Sequence, residues 1–303
     1  MGSTALKSEG GGADVNPPWL DTFQDFYQEF PAVFSSEQQK HVCPKIEFWK
    51  GIGDELLWFT SLPNGDAAIA TLRAFKGAIE TYNRLLDDTD KKVRLKGTAW
   101  IAGFPITHKE VKLPSGSFDY IGPYIDTGFR LSKFSSRMRM VVSVDLAWMI
   151  LNCRTSLNED KDLPLRFDSS ESMKGVLGGR PYPIIWIQCT SPLEELEYKL
   201  CRTGDGKDWK EGLEEFCRAF IKDTDEKIIF PYIINDKIFS EPHKSYFAWL
   251  EKRKTPARPP LETDNGDEAG VITESPAAAS NLNKKVLLAN GNVVDEEHKP
   301  EAG

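Results

Sequence analysis

The stretch KIEFWKGIGDELLWF, Lys45 to Phe59, sets a charged Gly53-Asp54-Glu55 tip between two apolar runs, with Lys50 four residues before Asp54. A tight turn flanked by strands fixes the direction of its side chains, and carboxylate oxygens suit hard divalent ions such as Mg2+ or Mn2+. The same turn also reads as a solvated bend in which Gly-Asp only supplies the backbone shape. Downstream, FDYIGPYIDTGFRLSKF carries Asp119, and then Asp126 and Arg130 one helical turn apart. At that spacing Arg130 can simply pair with Asp126, an exposed i,i+4 contact worth about 0.3–0.5 kcal/mol. Lys50 and Asp119 also read as ordinary exposed strand residues.

The elements that must position these groups follow from periodicity. PPWLDTFQDFYQEF places Leu20, Phe23, Phe26, Tyr27 and Phe30 at three- and four-residue steps behind two prolines, which predicts an amphipathic helix. Ile46–Lys50 and Leu56–Thr60 read as two strands joined at Gly51–Glu55. Ala68, Leu72, Phe75, Ile79, Tyr82 and Leu86 predict a second helix, opened by a Pro-Asn-Gly-Asp cap. Val93–Phe104 and Met138–Val144 read as strands, and between them an extended piece breaks at Gly122-Pro123 into the helix of Asp126 and Arg130. The order suits an α+β layer with helices on one face of an antiparallel sheet. Residues 152–254 read as an α/β extension packed on that layer, with helices at Pro192–Cys201, Trp209–Lys222 and Lys244–Lys254.

Three blocks, WKGIGDE, LKGTAWIAGFP and DYIGPYIDTGFRL, resemble the class III nucleotide cyclases in order and spacing. The resemblance spans roughly residues 20 to 150 and implies a ferredoxin-like catalytic layer at 17–151. It places Asp54 on a metal-binding aspartate and Lys50 and Asp119 on the two base-contacting positions. Arg130 matches the arginine that stabilises charge on the reacting phosphate. Asp126 stands where the family has a ribose-orienting asparagine, a departure because an ionised carboxylate accepts hydrogen bonds but cannot donate them. The resemblance further implies two divalent cations, Mn2+ or Mg2+, and a homodimer. In that dimer the metal aspartates come from one subunit, and the base, ribose and phosphate contacts come from the other.

A lysine donor beside an aspartate acceptor suits uracil, and also cytosine or adenine. WKGIGDE, YIGPYIDTGFRLSKF followed by VVSVDLA, and the downstream GRPYPIIWI together resemble the bacterial pyrimidine cyclases of Pycsar antiphage defence. That resemblance implies conversion of UTP to 3′,5′-cyclic UMP and pyrophosphate. The alternatives are a cytidylate or adenylate cyclase, or a degenerate protein that binds nucleotide and dimerises without turnover.

The family also needs a second metal aspartate at the end of an apolar first strand. Asp14 lies forty residues before Asp54, but LKSEGGGA ahead of it cannot form a buried strand. The expectation is a chain whose first strand is lost by truncation, with residues 1–16 loose or its remnant. The 255–303 tail has no Phe, Trp or Tyr and is rich in Pro, Ala, Asn, Glu and Asp, so disorder is expected there. Among 303 residues the net charge is −8, which argues against nucleic-acid or anionic-lipid partners. No apolar run is long enough to span a bilayer, and a cytoplasmic enzyme is expected. The five cysteines, Cys43, Cys153, Cys189, Cys201 and Cys217, lack CxxC spacing and read as small buried apolar residues. His41, His108, His243 and His298 fit no zinc or nucleophile pattern and are expected to pack locally or lie at the surface.

Overall fold

The computed structural model describes residues 18–89, 93–153, 163–189, 207–254 and 285–289. Asp14 and the helix expected at Pro192–Cys201 lie outside the described residues, as does Cys201. The fold is mixed α+β. Helix α1, Pro18–His41, buries Phe23, Phe26 and Phe30 of the predicted stripe and adds Phe34, whereas Leu20 of that stripe is exposed. The hairpin follows as β1, Glu47–Ile52, and β2, Glu55–Ser61. Helix α2, Gly65–Asp87, starts where Asn64 Oδ1 accepts from the Ala67 amide at 2.8 Å, as the cap pattern predicts.

Strand β3 is shorter than the expected Val93–Phe104, running only over Thr98–Ala102. A two-stranded hairpin, β4 Lys109–Lys112 and β5 Phe118–Ile121, pairs with no strand of the main sheet among the described residues, and its first strand is not expected from the sequence. Helix α3, Pro123–Leu131, carries Asp126 and Arg130. Then come β6, Arg139–Val142, and α4, Val144–Cys153. The later region contributes β7, Leu165–Ser172, β8, Pro181–Gln188, α5, Lys207–Asp223, and α6, Tyr246–Lys254.

The sheet runs β1-β2-β9-β3-β6-β8-β7, where β9 is Lys285–Ala289. Every pair is antiparallel except β3 with β6. Two expectations are corrected here. Residues 152–254 do not only pack on the layer, because β8 and β7 extend the same sheet beyond β6. The tail, expected to be disordered throughout, supplies a strand paired on both edges. Aromatic content was a poor guide there, because a strand between two others is held by main-chain hydrogen bonds.

Alternation on β2 and β3 builds two cores. Leu56, Trp58, Ala99 and Ile101 face α1, α2 and α4 in the main core. Leu57, Phe59, Trp100 and Ala102 face the opposite side, under Tyr120 of β5 and Ile125 of α3, with Phe129 packed against them. Helices were expected on one face only, whereas α3 covers the other. Gly128 lets it approach, because a Cβ at that position would lie 2.1 Å from Trp100 Cδ2. Cys153, Cys189 and Cys217 are buried as expected, but Cys43 is only half-buried.

Gly128→Ala is expected to destabilise the fold by about 1–3 kcal/mol through overpacking against Trp100. Phe34→Ala, which empties a fully buried site, should cost about 3–5 kcal/mol. Urea midpoints at unchanged m-value read both.

Candidate active site

Lys50 owes its direction to an irregularity in β1. The register passes from Phe48 opposite Trp58 to Lys50 opposite Leu57, so one extra residue is accommodated between them. Such a bulge resets the alternation of the strand. Phe48 therefore packs edge-on to Trp58 in the main core, at 5.5 Å between rings. Trp49 meets Tyr120 on the opposite face at 5.2 Å. Trp49 stands beside Lys50, whose Nζ lies 4.3 Å from the indole centroid. The Trp49 Nε1 donor is buried without a partner among the described residues.

Lys50 Nζ donates to Asp119 Oδ1 at 2.6 Å, across 69 residues of sequence. The same oxygen accepts from the Tyr120 amide at 2.9 Å, which holds the carboxylate against β5. The ammonium thus keeps two N–H donors, and Oδ2 keeps its lone pairs. The pair is neither buried nor fully exposed, at 32% and 26% side-chain exposure, so its own contribution to stability is within about 1 kcal/mol. Its arrangement is a donor and an acceptor side by side at the edge of an aromatic cluster.

Asp54 sits in the turn after Gly53, whose φ of +61° suits glycine. Tyr27 of α1 donates to the Gly53 carbonyl at 2.7 Å and ties the tip to the helix layer. Burial, and then the charge of Asp54, holds the Glu55 carboxyl above its ordinary range, while Lys96 opposes the shift. Two adjacent carboxylates suit a hard cation in charge and chemistry. Among the described residues, however, no group of three His, Cys, Asp or Glu side chains converges to hold one. The described residues do not by themselves make a metal site.

Helix α3 starts at a break that His108 explains. The ring is fully buried, and its Nε2 accepts from the Tyr124 amide at 3.1 Å. Nδ1 lies 2.7 Å from Thr107 Oγ1 and 3.2 Å from the Gly103 carbonyl, so the proton belongs on Nδ1. Gly122, with φ of +155°, passes over this ring, and a Cβ there would lie 2.3 Å from His108 Cδ2. Sequence gave no sign of this role for His108, because nothing local distinguishes a buried histidine from a surface one.

Arg130 Nη1 donates to the Asp126 main-chain carbonyl at 2.8 Å, not to its carboxylate. Its guanidinium lies beside the Gly175 loop, where a Cβ would be 3.5 Å from Nη2. Asp126 is exposed at the rim of a cavity of about 280 Å3 whose walls include Ser143, Asp145, Gly175 and Lys227. Within this one chain the structure pairs Lys50 with Asp119 and sets Asp126 beside Arg130. Asp54 stands in the turn between β1 and β2.

No protein-family model matches the chain, and no curated protein matches it. Among solved structures it is similar to the adenylyl cyclase CyaB from P. aeruginosa, at 15% identity and a TM-score of 0.41, over 63% of this chain and 90% of that one. It is also similar to the catalytic core of a rhodopsin-guanylyl cyclase with converted specificity in complex with ATPαS, at 13% identity and a TM-score of 0.40, over 63% and 91%. The guanylyl cyclase Cya2 aligns at 13% identity and a TM-score of 0.39, over 63% and 89%.

Burial pushes the His108 imidazole down from 6.5 to about 4. Between these values the unfolded chain binds the proton and the folded chain does not, so stability falls as pH drops through that window. The loss is expected to reach about 3 kcal/mol near pH 4. His108→Gln should flatten this part of a curve of unfolding free energy against pH.

Proposed function

We propose that this chain is a nucleotide cyclase of the class III kind that acts as a homodimer on a pyrimidine nucleoside triphosphate, UTP in preference to CTP or ATP. The observation that carries the reading is the Lys50–Asp119 pair, brought together by the bulge in β1 and by the β4–β5 hairpin. A remaining Lys50 N–H suits the uracil O4 acceptor, and Asp119 Oδ2 suits its N3–H donor. Trp49 gives that edge an apolar wall.

In the reaction the ribose 3′-oxygen attacks the α-phosphorus, the 3′-hydroxyl proton passes to water, and the bond from the α-phosphorus to the bridging oxygen breaks as pyrophosphate leaves. Arg130 is assigned to the negative charge that grows on the phosphate oxygens. A preorganised cation of this kind lowers the barrier without reorganising. Asp126 is assigned to the ribose, accepting a hydroxyl hydrogen bond. Asp54, with Asp14 as the other proposed carboxylate, would hold Mg2+ or Mn2+, which would neutralise charge on the triphosphate bound by the opposite subunit. Dimerisation is supported by Phe118 and Ile121 of β5, 51% and 53% exposed on a hairpin that, among the described residues, pairs with no strand of the main sheet. A cytoplasmic second-messenger role in antiphage defence is the biological setting implied by the sequence resemblance.

The purified chain, incubated separately with each of the four nucleoside triphosphates and Mn2+, is expected to yield cyclic UMP and pyrophosphate from UTP. Arg130→Ala should lower kcat by about 10²–10³. Lys50→Ala should chiefly raise KM for UTP, by about tenfold or more. Binding of nucleotide with no cyclic product from any of the four would instead make this a binding and dimerisation protein.

A further inference from the structure

Strand β9 is unlike every other strand of the sheet in how it gets there. Positions 255–284 separate it from α6, and its sheet partners are β2 and β3, some two hundred residues earlier in the chain. Leu57 to Ser61 of β2 pair with Ala289 to Lys285, and Thr98 to Ala102 of β3 pair with the same five residues. Without β9 the main sheet has two halves, β1-β2 and β3-β6-β8-β7, with no ladder between them.

The halves cannot simply close on each other. On one side Leu72, Phe75 and Ile79 of α2 share a core with Leu56 and Trp58 of β2 and with Ala99 and Ile101 of β3. The chain leading into β3 is pressed onto that helix, because a Cβ at Gly97 would lie 2.3 Å from Ile79 Cδ1. On the other side Leu57 and Phe59 share a core with Trp100, Ala102 and Tyr120. Two packed layers thus hold β2 and β3 apart by two strand spacings, roughly 9–10 Å, a gap that admits one strand. Both edges of that gap are buried and carry free main-chain donors and acceptors unless a strand fills it. The partners of β9 run parallel to each other, so the gap also selects polarity, because the occupant must be antiparallel to both.

We propose that the cleft between β2 and β3 is a strand-acceptor site, that its ligand is an extended peptide segment, and that Lys285–Ala289 of the same chain is its occupant. The segment is bound through its main chain and tethered through 255–284, so it is separable from the body it completes. This assignment is independent of the proposed activity.

The test uses a chain ending at residue 280 and a fluorescein-labelled synthetic peptide covering residues 283–291. Saturable binding of one peptide per chain is expected, at least tenfold weaker for the peptide carrying Leu287→Pro, which lacks a main-chain donor at that position. In the full-length protein, Leu287→Pro should speed hydrogen exchange at least tenfold in segments 55–61 and 98–102, with Val293→Pro as the control outside the strand. That second measurement stands even if the shortened chain does not fold. Unchanged exchange in both segments on Leu287→Pro would overturn the proposal. So would a folded shortened chain that binds no peptide and keeps the full-length protection at 55–61 and 98–102.

Discussion

Burial of the central strands on both faces is the constraint from which the rest follows. Leu56 and Trp58 of β2 point one way and Leu57 and Phe59 the other, and all four are almost inaccessible. The same is true of Ala99, Trp100, Ile101 and Ala102 in β3. A strand with one wet face can satisfy some of its backbone with water, and these two cannot. Each main-chain group left unpaired there costs about 1–3 kcal/mol, so the ladder between them has to be continuous. A segment from the far end of the chain meets that demand in this structure.

The candidate site lies where the second core reaches the surface. Trp100 and Phe129 set the distance of α3 from the sheet, and Gly128 makes the approach possible. His108 and Gly122 set where α3 starts. The direction of Arg130 therefore depends on how its own helix is seated on the sheet. Lys50 is governed differently, by a change of phase within β1 and by the hairpin that brings Asp119 across to it. Packing of a helix thus aims one pair of polar groups and register of a strand aims the other.

Much of this was legible from spacing alone. The aromatic stripe of α1, the Asn64 cap, the β1–β2 hairpin and the Gly122-Pro123 break each depend on local chemistry, and local chemistry is what a sequence displays. The adjacency of Lys50 and Asp119 was not local. Only the resemblance to a cyclase joined them, and the bulge that aims Lys50 leaves no mark in composition. Strand β4, LysGluValLys at 109–112, was missed because its side chains are mostly exposed and alternate weakly. β9 was missed for the opposite reason. Its run, KVLLA, is apolar, but it sits in a segment whose average composition reads as unstructured, and its partners are far away.

The bulge in β1 separates two duties that one strand would otherwise share. Phe48 is committed to the hydrophobic interior, while Lys50, two positions on, has been released from the pleat and answers only to Asp119 and Trp49. A side chain at position 50 can change in charge or length without disturbing the interior. Such an arrangement lets the charge presented at this edge vary while the scaffold beneath it stays unchanged.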